Sequence, residues 1–206
     1  MEELDLLKKD WKRNENSYQQ ISEVDIYKML HKKSSSIVKW ILVISVLEVI
    51  VWTAISFFFN ADQYLIEMHG ESFIVYFRYL TILNYFVVAV FIYMFYKNYK
   101  NISTVTSTKK LMQDILKTRK TVKYYVWYNL AMIVVCSIIA FAMALYMNPQ
   151  MSQITNNNKA FAITICVMVL FITLFVGLFW LFYRLIYGTL LRRLFRNYNE
   201  LKKIDL

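Results

Sequence analysis

A carboxylate stands where a carboxylate is costly. Glu48 is the single charged residue in the apolar run Ile41–Phe59. An acid in such a run can relay a proton or a cation, or it can serve as a hydrogen-bonded staple between helices. Left ionised and unpaired at mid-membrane it would cost about 2.5–3.5 kcal/mol, so it is expected to be protonated or paired. Asn84 falls at the same depth when both are counted from the outer ends of their runs, and Ser137 falls close to that level. Arg78 sits nearer the outer end. A Glu48–Arg78 ion pair is opposed by geometry, because helical side chains lean toward their own N-terminus and these two would lean apart. Arg78 is expected to snorkel to the outer headgroups. Glu48 is then left to seek Asn84, Ser137 or a tyrosine hydroxyl, and Glu48, Asn84, Ser137 and Arg78 form the candidate intramembrane polar cluster. The staple is favoured over the relay. A relay needs a chain of polar groups, and the last two apolar runs offer Asn129, Ser137, Thr164 and Thr173. Broken spans of the transporter kind are also missing, since Gly177 is the one glycine inside a run and Pro149 lies outside.

Other chemistry is poorly supplied. His31 and His69 fall on opposite sides of the first apolar run and cannot share a metal within one chain. Cys136 and Cys166 lie inside separate runs and read as small buried hydrophobes. No Walker loop, C-x-x-C pair, G-x-S-x-G elbow or H-E-x-x-H helix occurs. Ser34-Ser35-Ser36 reads as a polar joint at a helix end, with no base in reach. No catalytic residue, cofactor or metal is expected, and the protein is expected not to be an enzyme.

The elements that carry these residues are four apolar runs: 41–59, 73–96, 124–147 and 160–183. About 20 apolar residues rising 1.5 Å each cross a hydrocarbon core of about 30 Å, and only a helix satisfies its own backbone there. With 3 Gly and 1 Pro in 206 residues, turn-rich β folds are excluded. The expected fold is all-α, a four-transmembrane-helix bundle with amphipathic cytoplasmic helices. The formal charge of +10, from 24 Lys+Arg and 14 Asp+Glu, is distributed very unevenly. Of the basic residues outside the runs, 22 lie before the first run, in 97–123 or after 183, and one, Lys159, lies in the other two links. The positive-inside rule then puts both termini in the cytoplasm. It also explains the basic composition without direct nucleic-acid binding.

The charged segments are amphipathic. Residues 1–36 read as a cytoplasmic arm and 37–206 as the membrane domain, with cytoplasmic segment 97–123 and tail 184–206. Leu4, Leu7 and Trp11 share one helical face. Ser22 with Asp25 three residues on resembles a capping box that opens a second helix, whose stripe is Ile26, Met29 and Leu30. Such stripes can lie on anionic headgroups or pack on each other beneath the bundle. Alternatively, Leu4, Leu7, Trp11, Ile26, Met29 and Leu30 dock into a cytoplasmic protein by helix-in-groove contact. Self-association is left open.

The opening Glu3-Leu4-Asp5-Leu6-Leu7-Lys8-Lys9-Asp10-Trp11-Lys12 resembles the lead of a group of small bacterial multi-span membrane proteins. Leu116 to Tyr125, ahead of the third run, is similar to the same group. Some of these proteins are regarded as anti-sigma-like regulators. The resemblance implies a regulatory or scaffold protein whose arm holds a sigma factor or a membrane-complex subunit. The competing expectation is a small transporter or channel component that uses Glu48.

Overall fold

The computed structural model describes residues 22–58, 71–147 and 158–204, together with Lys9 and Ile66. It contains four long helices: α1 (Glu23–Phe58), α2 (Glu71–Thr104), α3 (Thr108–Met147) and α4 (Asn158–Ile204). All four are long and apolar enough to cross a membrane. Each also runs on, unbroken, into a basic segment at one common end of the bundle, called here the basic end. The all-α four-helix architecture expected from the apolar runs is the one observed.

Local chemistry sets the start of α1. Ser22 Oγ accepts from the Asp25 backbone N–H at 3.2 Å, and the two side chains bond at 2.7 Å. One orphan donor of the first turn is thereby satisfied. At the same end of the bundle, Val105-Thr106-Ser107 turns the chain from α2 into α3. Such a short link forces antiparallel neighbours. Tyr27 Oη reaches across from α1 to donate to the Val105 carbonyl at 3.2 Å.

The helices form a ring in which α1 and α3 each pack between α2 and α4, and α1 also meets α3 across the diagonal. Most of their buried residues near the basic end follow one rule. On α3 these include Leu111, Ile115, Thr118, Val122 and Tyr125; on α2, Asn98 and Ile102 follow Phe95, with Val105 of the link three residues on. Steps alternating between three and four residues make the seam of coiled-coil packing. Steps of three or four residues also link Leu30, Ser34, Val38, Ile41 and Ser45 of α1 and Leu194, Asn197 and Leu201 of α4. Two polar pairs sit inside it: Asn197 donates to Ser34 Oγ at 3.1 Å, and Asn98 to Thr121 Oγ1 at 3.4 Å. Shifting one helix along its neighbour would orphan these buried groups, so they hold the register.

The seam corrects several expectations. Ser34–Ser36 is not a helix end, because α1 passes straight through it and Ser34 is fully buried. Between residues 23 and 58, α1 runs on without a break across positions 36 and 37. Leu30, 3% exposed, belongs to a core with Val38, Ile102, Leu111, Ile115, Leu194 and Leu201, and Ile26 packs against that core. These two stripe residues are therefore spent within the chain, while Met29 remains half exposed at 50%. Among the described residues, the amphipathic stretches of α1, α3 and α4 pack on one another at the basic end. Leu4, Leu7 and Trp11 lie outside the described residues.

The apolar stretch of α4 is the opposite case: none of it is buried within the chain. Ile163, Val167, Leu170, Phe171, Leu174 and Leu178 all face outward, as side chains do when lipid supplies their surroundings. Cys166 is exposed on this face and Cys136 is half-buried, and both thiols are free. Exposed Cys166 departs from the expectation of two buried cysteines.

Candidate functional site: an acid-headed cleft within the bundle

Glu48 is the last position of the α1 seam, and three tyrosines converge on it. Tyr125 Oη of α3 donates to Oε2 at 2.8 Å, Tyr187 Oη of α4 donates to the same oxygen at 3.3 Å, and Tyr183 Oη of α4 donates to Oε1. One side chain thus ties α1 to both α3 and α4. The directions follow from helix geometry: Glu48 leans toward the N-terminus of α1, at the basic end, while the α4 tyrosines lean toward the opposite end and meet it. Register follows too. Asn197–Ser34 and Tyr183–Glu48 lie 14 residues apart on both helices, two heptads of one antiparallel seam.

Aromatic packing fixes the hydroxyls. The Tyr125 ring lies edge-on to Phe91 at 5.5 Å, to Phe95 at 5.4 Å and to Tyr187 at 5.9 Å. Tyr183 stacks on Tyr187 at 5.9 Å. Edge-to-face pairs of this spacing are favourable beyond their buried area. All three phenols are nearly fully buried.

The remaining members of the expected cluster lie elsewhere. Asn84 accepts from Tyr128 Oη at 3.0 Å, tying α2 to α3. Ser137 gives its hydroxyl to the Ile133 carbonyl of its own helix at 2.7 Å. Asn129, Thr164 and Thr173 bond back one turn in the same way. Arg78 is on an exposed face of α2. Of the partners considered for Glu48, the tyrosine hydroxyl is the one found, in three copies. Asn84 and Glu48 do share a cavity wall, whereas Ser137 and Arg78 line no part of it.

That cavity is a cleft of about 300 Å³ between α1, α2 and α3, with Tyr183 of α4 at its floor. Glu48, Val88, Tyr125 and Tyr183 mark its inner end. From there it runs outward past Trp52 and Ser56 on α1, Asn84, Thr81 and Phe77 on α2, and Asn129 and Cys136 on α3. Eight residues separate Glu48 from Ser56 along α1, about 12 Å at 1.5 Å per residue. Thr53 and Tyr85 bond at 3.2 Å between α1 and α2. Among the described residues lining the cleft, Glu48 carries the sole charge. No group of three or more His, Cys, Asp or Glu side chains able to hold a metal occurs among the described residues.

Residues 24–206 match the family described as a domain of unknown function, DUF8845. The chain belongs to that family. No curated protein and no solved structure matches it. The DUF8845 match takes in the whole helical body, and so the seam, Glu48, its tyrosines and the cleft. It leaves out residues 1–23, where Leu4, Leu7 and Trp11 lie.

Tyr125, Tyr183 and Tyr187 are functional candidates missed by the sequence reading. They fall at or just beyond the nominal run ends, where tyrosine reads as an interfacial belt residue. A usable signal was present in the seam: Tyr183 and Tyr187 continue the three-and-four spacing of Leu194, Asn197 and Leu201.

Proposed function

We propose that this DUF8845 protein is a non-enzymatic membrane protein whose working group is Glu48, acting as a small transporter or channel component. One observation carries the reading. A staple needs only its hydrogen-bond partners, and close packing would seal it in. Glu48 instead lines a cleft of about 300 Å³ that continues outward between hydroxyl and amide side chains. The three phenols hold the carboxylate in place, and the cleft supplies access to it.

Cys136 provides the test, because it lines the cleft and is one of two cysteines in the chain. In a Cys166→Ala protein it becomes the single thiol. A small hydrophilic thiol reagent is expected to modify it in folded protein within sealed vesicles, and Thr81→Trp, which fills the cleft, is expected to protect it. A thiol that reacts after denaturation and stays inert when folded would contradict an open cleft.

The orientation belongs to the same proposal. With 22 basic residues falling before the first run, in 97–123 or after 183, both termini face the cytoplasm, and the resemblance to bacterial proteins makes the membrane a bacterial inner membrane. A periplasmic reporter fused after Glu67 is then expected to be active, and one fused after Thr106 inactive. The reverse pattern would overturn the orientation.

The anti-sigma-like reading, with a cytoplasmic partner held by the arm, is narrowed. Ile26 and Leu30 are committed to the bundle's own core. Its remaining candidates are Met29, exposed on α1, and the face of Leu4, Leu7 and Trp11.

A further inference from the structure

We propose that the cleft takes a lipophilic organic cation, with the positive group against Glu48 and an apolar body along the cleft. This rests on the reading of the cleft as the working site and names what enters it.

Three features select the ligand. The first is sign. Glu48 is the one charged side chain among the described residues lining the cleft, and no Lys, Arg or His there offers an anion a partner. The second is the chemistry of the walls. Trp52, Phe77 and Tyr85 flank the path to Glu48, and the rings of Tyr125 and Tyr183 stand at its head. Aromatic faces attract cations, most strongly where water is excluded. A hard metal ion would require six or more oxygen ligands at fixed distances. Here Tyr125, Tyr183 and Tyr187 already occupy three of the roughly four acceptor sites of a carboxylate. A large organic cation asks for no such shell. The third feature is the apolar remainder of the lining, Leu80, Met132 and Ile133. These side chains would cover a hydrocarbon or aryl body, and methionine adapts readily to irregular shapes. A space of about 300 Å³ lies within the range of small-molecule sites.

Tetraphenylphosphonium and tetraphenylborate have nearly the same shape and opposite charge. Equilibrium dialysis of each against the purified full chain in a non-ionic detergent, with protein-free micelles as the blank, reads out the preference directly. Tetraphenylphosphonium is expected to show one saturable site per chain, and tetraphenylborate none. Glu48→Gln and Thr81→Trp are each expected to weaken the cation by about tenfold or more. Thr81→Trp leaves the carboxylate and its tyrosines intact, so its loss of binding reports on the cleft rather than on folding. Equal binding of the two ions, no saturable site, or cation binding unchanged in both variants would overturn the proposal. If the cation fails to bind while Cys136 still reacts, the ligand class falls and the cleft survives; if Cys136 is also inert, both fall.

Discussion

Replacing Glu48 by Leu is expected to destabilise the folded protein by about 2–5 kcal/mol. Three hydroxyls lose their acceptor at once, and each interhelical bond of this kind in a membrane is worth about 0.6–1.7 kcal/mol. Tyr125, Tyr183 and Tyr187 are 1%, 3% and 1% exposed, so lipid or water has little chance to take over the acceptor's role. A buried polar group without a partner carries its full desolvation cost. Glu48→Gln is the matched control. Its carboxamide keeps an acceptor oxygen and the shape of the side chain, and hydroxyls can accept from its amide N–H as readily as they donate. Thermal unfolding in detergent should therefore rank wild type and Glu48→Gln together, with Glu48→Leu well below. A Leu variant as stable as wild type would mean that the tyrosine cluster does not hold α1 to α3 and α4.

Much of this architecture is legible in the sequence, for reasons that differ by element. The four spans follow from the apolar runs, because length and lack of charge suffice to identify a membrane helix. The start of α1 follows from Ser22 and Asp25, a local signal that depends on four residues. The stripes Leu111–Ile115 and Leu194–Leu201 are visible as amphipathic faces, yet their partners are not. A stripe on a lipid surface, against a foreign protein or against a sister helix has the same period.

The continuous seam is harder to see because polar residues interrupt it. Ser34, Ser45, Asn98, Thr118 and Asn197 are buried and Glu48 is half-buried at seam positions, and each one weakens the hydrophobic signal along the seam. Read by composition, Ser34–Ser36 looks like a joint; read by spacing, Ser34 is a core position between Leu30 and Val38.

Depth counting does not reveal the partners of Glu48, for a related reason. Counted from the far ends of the runs, it stands level with Asn84 and Ser137. Its side chain instead reaches toward the basic end, and the α4 tyrosines reach back toward it. The contact joins residues 77, 135 and 139 positions apart. Which tyrosines meet the acid depends on which helices are neighbours and in what register, and neither is written in any one segment. The cleft is less legible still, because a void is a property of how α1, α2 and α3 diverge.

Reconstituted transport gives the largest effect expected and the most direct test of Glu48 as a working group. Purified wild-type protein and Glu48→Gln are placed in sealed vesicles containing a pH-sensitive dye, and a potassium diffusion potential drives protons inward. The Gln side chain keeps its hydrogen bonds but cannot take up and release a proton, so a structural role and a working role separate completely in this variant. Wild-type vesicles are expected to acidify faster than protein-free vesicles, and Glu48→Gln vesicles at the protein-free rate. Equal acidification by wild type and Glu48→Gln, or wild type no faster than empty vesicles, would contradict the account.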